Sequence, residues 1–230
     1  MKSLFYLWTA VALALLGYGF YQGMYVAPTE ATMGPVQRIF YWHVPLNIVG
    51  EITPYVNMIA SIAFLALRRK NIAAALKADA IALASAEVTV LFVGLGLLSG
   101  ILWGKPAWGI WWTFDARTTT FLLLWLLYVS YLLVRRYSSG MQAYTIAAVL
   151  SIFAGVDVPI VFMSIRWWRT QHPSPVLTGE GSMAPAMWVA MGWNAAAWLM
   201  WAVALMWARY AILRREQKRN QAEALRAMEA

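Results

Sequence analysis

The chain has 230 residues, of which 62% are hydrophobic and only 12% charged. That is too apolar for an ordinary soluble domain. There is no cysteine, which excludes disulfides, thiolate metal sites and attachment through a C-x-x-C-H motif within this chain. The net charge of +8 does not point to nucleic acid, because the basic residues sit in short clusters between apolar runs.

A bilayer-spanning helix needs about 20 apolar residues, and the sequence offers six such runs. Lys2 precedes the first, at about 4–21. No small-residue cleavage site follows it, and Tyr18, Phe20 and Tyr21 form an interfacial belt, so it reads as a retained helix and not a signal peptide. A short loop with Pro28, Gly34, Pro35 and Arg38 leads to a second span at about 40–67, closed by Arg68, Arg69 and Lys70. Lys77 and Asp79 open a third, running to about 102. Then comes WGKPAWGIWWTFDARTTT, residues 103–120, with Trp103, Trp108, Trp111 and Trp112 inside ten positions. The fourth span is about 119–134, closed by Arg135 and Arg136, and the fifth about 143–165. A second long loop, 166–185, contains RWWRTQHPSP. The sixth span is about 187–210, and 211–230 is a basic tail expected as a helix at the membrane surface.

Six spans place both termini on one side. Thirteen of the eighteen Lys and Arg residues then share that side, and Arg38, Lys105, Arg117, Arg166 and Arg169 lie on the other. The excess marks the first side as cytoplasmic. The expected fold is therefore an all-α integral membrane protein with six transmembrane helices and both termini cytoplasmic. One domain covers 1–210, and the tail stands apart.

The tryptophan loop is read as pressed against the outer membrane surface. An aromatic belt is the plain explanation for any one indole there. Four of them with Gly104, Pro106 and Gly109 exceed what anchoring needs, and suggest a platform for a large planar apolar ligand with a polar edge. The chain has two histidines, His43 in YWHVP and His172 in the last outer loop. The topology, drawn without them, puts both on the tryptophan face. Two imidazoles from separate segments suit the axial positions of haem iron. Lys105, Arg117, Arg166 and Arg169 are candidates to pair with the propionates. Glu51, Glu87 and Asp157 lie within spans, where carboxylates face protein or water. Glu51 falls about two turns below His43 and is placed in the same cavity. Hydrogen bonding between helices is the plain role for all three, and a proton or ligand path is the other.

WGKPAWGIWWTFDAR resembles the tryptophan-rich WWD signature of the haem-handling proteins of cytochrome c biogenesis. RIFYWHVP, at 38–45, resembles the first-histidine segment of the haem exporter protein C family (CcmC), and VDVPIVFMSIRWWRTQHP, at 156–173, its second. The six-span length agrees, and exactly two histidines favour the small member of the superfamily. The resemblance implies a protein that presents haem b at the periplasmic face and loads it onto a periplasmic haem chaperone. It implies an ATP-binding-cassette ATPase, a second membrane subunit and a small single-span subunit as partners. His43 and His172 match the axial ligands, and Trp103, Trp108, Trp111, Trp112, Phe114 and Asp115 the haem loop. Phe114 stands where the usual motif has a further tryptophan. It keeps a stacking face and loses an N–H donor.

Such a protein is a binding and transfer module, not an enzyme. A membrane electron carrier of the cytochrome b type would hold its histidines deeper in helices. A haem lyase would have more spans and histidines. A haem-transporting permease would show broken, repeat-paired helices.

Overall fold

The computed structural model describes residues 2–173 and 183–229. Among them, six helices are long and apolar enough to cross a membrane. They are α1 (Lys2–Tyr21), α2 (Phe40–Leu67), α3 (Ile72–Trp108), α4 (Ala116–Tyr137), α5 (Gly140–Trp167) and α6 (Pro185–Glu229). A π-helical turn, Gln22–Val26, follows α1, and a 3-10 turn, Pro35–Ile39, leads into α2.

Local chemistry sets the helix ends. Asn71 caps α3 by accepting from the Ala74 N–H at 3.0 Å, which satisfies a donor that has no partner within the helix. Asp115 caps α4 in the same way, from the Thr118 N–H at 2.9 Å. The expected loop 103–120 is shorter than the sequence suggests. Helix α3 continues through Pro106 to Trp108 and stops where Gly109 turns left-handed at φ +78°, a conformation that glycine adopts without strain. Lys105 Nζ closes that end on the Gly109 carbonyl at 2.9 Å. Only 109–115 separates α3 from α4. The sixth helix is likewise longer than its expected span. It runs 45 residues without a break at position 210.

Helix α2 lies against α3, α5 and α6, while α4 packs on α5 and α1 rests on α6. The central seam of α3, α4 and α5 is filled by Val93, Phe121, Leu124, Tyr128, Ala154 and Val161. Lipid is as apolar as these side chains, so helices in a membrane also need polar ties and close packing. Asn57 of α2 supplies one tie. Its amide donates to the Ala82 carbonyl at 2.6 Å, and its oxygen accepts from Tyr128 at 3.2 Å and from the Ser151 hydroxyl. One asparagine thus joins four helices.

Buried and half-buried charges are paired across helices. Arg135 of α4 grips Asp79 of α3 through both nitrogens, at 2.6 and 3.0 Å. Arg209 of α6 holds Glu87 of α3 at 2.5 and 2.9 Å. Arg117 of α4 reaches Glu51 of α2 at 2.7 Å. Asp157, by contrast, has one carboxyl oxygen buried without a hydrogen-bond partner.

Candidate functional site

A cavity of about 740 Å³ opens at the end of the bundle where α2 begins and α5 ends. That size falls within the usual range of ligand pockets, roughly 300–1,000 Å³. Its wall includes His43, Glu51, Trp103, Arg117, Arg166 and His172. A smaller cleft of about 50 Å³ adjoins it, walled by Trp108, Trp111 and Trp112. His43, Asn47, Trp103, Arg117 and His172 line both spaces, so the two histidines stand where the cleft meets the cavity.

His43 sits in the first turn of α2. It reaches α3 because that helix presents glycine at 96 and 100. A Cβ at Gly100 would stand 3.2 Å from His43 Cε1, and one at Gly96 only 2.0 Å from Asn47 Oδ1. The ring is hydrogen-bonded at both nitrogens, to Ser99 Oγ at 2.9 Å and to the Asn47 amide at 3.0 Å.

His172 is placed by a relay that starts at the helix cap. Asp115 Oδ2 accepts from the Thr170 hydroxyl at 2.7 Å, and Thr170 Oγ1 accepts from the His172 backbone N–H at 3.0 Å. Burial would raise the Asp115 carboxyl, but hydrogen bonds from Thr118, Thr170 and the Gln171 backbone outweigh it and hold the group below its usual value. Nδ1 of His172 lies 3.2 Å from the Pro173 carbonyl and donates to it. Nε2 therefore keeps its lone pair. Removal from water, and then the positive Arg117 nearby, push the His172 imidazole down to about 4.

The remaining residues expected at the site separate into wall, rim and support. Trp103 packs edge-on against Trp108 with centroids 4.9 Å apart. Trp111 and Trp112 line the cleft, though Trp111 is 56% exposed. Phe114 is 79% exposed and lines neither space. Asp115 also lines neither; its oxygens tie α4 to the His172 segment. Lys105 is turned toward the Gly109 carbonyl and the Trp111 ring, and Arg169 is exposed and lines neither space. Arg166 lines the large cavity and lies over the Phe162 ring, 5.0 Å from its centroid. Arg117 lines both spaces, yet its two terminal nitrogens already bond Glu51 Oε1 and the Val161 carbonyl, each at 2.7 Å. Of the loop expected at 166–185, positions 174–182 lie outside the described residues.

Several contributors escaped sequence reasoning. Asn47, Ser99 and Thr170 act on the histidines, and Glu30 lines the cavity from the loop after α1. Asn47 stood one turn from His43, and the glycines at 96 and 100 stand one turn apart. Both were visible signals of a close approach between α2 and α3. Arg38 is not a cavity residue. It clamps the turn after α1 through the Gly23 and Met24 carbonyls, at 2.9 and 2.7 Å.

The chain matches the family model for Heme exporter protein C over residues 1–223. It is 36% identical over 178 residues to Heme exporter protein C of Bradyrhizobium diazoefficiens, covering 76% of this chain and 65% of that one. To the Haemophilus influenzae protein of the same name it is 34% identical, over 75% of this chain and 68% of the relative. The Escherichia coli protein is 33% identical, over 92% and 85%. The chain thus spans about two thirds of the first two relatives and most of the third. With six membrane-spanning helices and bacterial relatives, this is a multi-pass inner-membrane protein. The match over nearly its whole length places the chain in the Heme exporter protein C family.

Proposed function

We propose that the protein holds haem b between His43 and His172 at the periplasmic face, and loads it onto a periplasmic haem chaperone during maturation of c-type cytochromes. One observation carries this reading. Two histidines 129 positions apart in the sequence line a single cavity of about 740 Å³, flanked by Trp103 and by the guanidinium groups of Arg117 and Arg166.

The chemistry follows from that arrangement. Two neutral imidazoles bind the iron from its two faces, and the indoles cover the apolar macrocycle. Arg166 pairs with a propionate from the cavity wall, while Lys105 and Arg169 add positive charge outside the cavity. Arg117 acts mainly through Glu51, since that ion pair ties α2 to α4 in the cavity wall. Release is built in at His172. His43 is anchored in a helix, whereas His172 hangs on a short relay of hydrogen bonds, so an incoming ligand from the chaperone displaces it first. The protein is a transfer component and not a catalyst. It works beside an ATP-binding-cassette ATPase, a second membrane subunit and a small single-span subunit, with no role for nucleic acid.

The test is the visible spectrum of the purified protein with haem. Wild type should be six-coordinate and low-spin. His43→Ala and His172→Ala should each become five-coordinate and high-spin, and the double variant should lose haem. A single variant with an unchanged low-spin spectrum and normal loading of the chaperone would remove that histidine from the iron.

A further inference from the structure

His43 is held at both ring nitrogens, and the partners fix which one is free to ligate. The Asn47 amide nitrogen lies 3.0 Å from Nε2. Ser99 Oγ lies 2.9 Å from Nδ1 and 3.0 Å from the Gly96 carbonyl. An amide nitrogen only donates, and a hydroxyl has one proton to give. One arrangement satisfies all three contacts together. Asn47 donates to Nε2, Nδ1–H donates to Ser99 Oγ, and the Ser99 hydroxyl donates to Gly96. The ring is then neutral with its lone pair on Nε2. A ligating imidazole uses this form, with its other N–H held by an orienting acceptor.

Asn47 is poorly rewarded where it stands. Its Oδ1 is buried without a partner, and only the missing side chain of Gly96 leaves room for it. A buried acceptor without a partner carries a desolvation penalty, so the side chain gains little from its position beyond the bond to His43.

We propose that Ser99 is a positioning residue that sets the tautomer and angle of His43, and that Asn47 is a placeholder that occupies Nε2 until haem iron displaces it. This rests on the reading of His43 as a haem ligand. The two residues then act with opposite sign. Ser99 strengthens the ligand bond, and Asn47 competes with it.

The experiment uses the full-length protein in detergent, titrated with haemin, with affinity read from the visible spectrum and the midpoint potential from a redox titration. Ser99→Ala should weaken binding about tenfold, at the low end for loss of an orienting partner. It should also raise the potential, because an imidazole that no longer donates from Nδ1 stabilises ferric iron less. Ser99→Thr restores the hydroxyl and should return both values. Asn47→Ala should tighten binding about fivefold, the worth of one competing hydrogen bond, and leave the potential unchanged. A Ser99→Ala protein with the wild-type potential, or one that Ser99→Thr does not correct, overturns the positioning role. Weaker binding by Asn47→Ala overturns the placeholder. His43→Ala separates the two levels of argument. If it leaves the spectrum unchanged, the ligand reading itself fails. If it abolishes the low-spin form while the other variants behave as wild type, the ligand reading stands and this proposal falls.

Discussion

The imidazole of His172 carries a pH dependence into the site. Its ordinary value of 6.5 is lowered to about 4 by loss of water and by Arg117. The charged form is disfavoured in the folded protein, so between about 6.5 and 4 the unfolded chain binds the extra proton. Stability of the docked segment therefore falls as the solution is acidified through that window. The neutral ring, and with it ligation, persists until pH approaches 4. Low-spin haem should survive at pH 5 and disappear near pH 4, followed by its visible spectrum. Loss of half the low-spin signal already at pH 6.5 would show a solvated imidazole. Asp115 supports the same residue through Thr170, which accepts from the His172 backbone N–H. Asp115→Ala should remove a helix cap worth about 1 kcal/mol and release Thr170. Its expected signature is a shift toward high-spin haem with normal amounts of inserted protein. The sequence suggests Asp115 as a residue of the haem loop, whereas its oxygens cap α4 and hold Thr170. A carboxylate that caps a helix and one that faces a ligand look alike until the partner from residue 170 is seen.

At the scale of helices, the pairings that hold the bundle join distant parts of the chain. Asp79 meets Arg135, and Glu87 meets Arg209. No local pattern announces such a partner, because each lies on another helix and its distance in sequence is arbitrary. Arginines that read as membrane-edge markers are thus also structural ties. Removing one side of a buried pair leaves an uncompensated charge, at a cost of about 3–5 kcal/mol. Arg135→Ala should lower the thermal transition in detergent sharply, and Asp79→Asn combined with it should recover part of the loss. An unchanged transition in the single variant would mean that Asp79 reaches water. The six helices themselves were legible, since hydropathy over about 20 residues is a strong signal. Their ends were not. The apolar run gave out at about 102, and α3 continues to Trp108, where the left-handed Gly109 ends it. The polar run after position 210 suggested a separate tail, and it continues α6.

The whole molecule is asymmetric in charge, and that asymmetry predicts its orientation. Reporters fused after Arg69, Arg136 or Arg215 should behave as cytoplasmic, and reporters within 104–110 or 174–182 as periplasmic. The imbalance of thirteen basic residues against five is the basis. A cytoplasmic signal from either of the latter insertions would invert the molecule and place the cavity on the wrong side for a periplasmic acceptor. The convergence of both histidines on one face followed from counting spans. Their meeting in one cavity did not, because it depends on the glycine-lined approach of α2 to α3 and on the Asp115 relay.

Helix α6 lends the molecule a mechanical property. Met187, near its start, is part of the cavity wall, and Gln217, thirty positions on, bonds the Leu76 carbonyl at the opposite end of α3 at 3.0 Å. Forty-five residues at about 1.5 Å each make a rod about 68 Å long, roughly twice the thickness of the hydrocarbon layer. After Pro185 it contains no proline to act as a joint. Pivoting such a lever by about 5° at its middle would swing each tip by about 3 Å. The basic tip and the mouth of the cavity are thus the two ends of one unbroken rod.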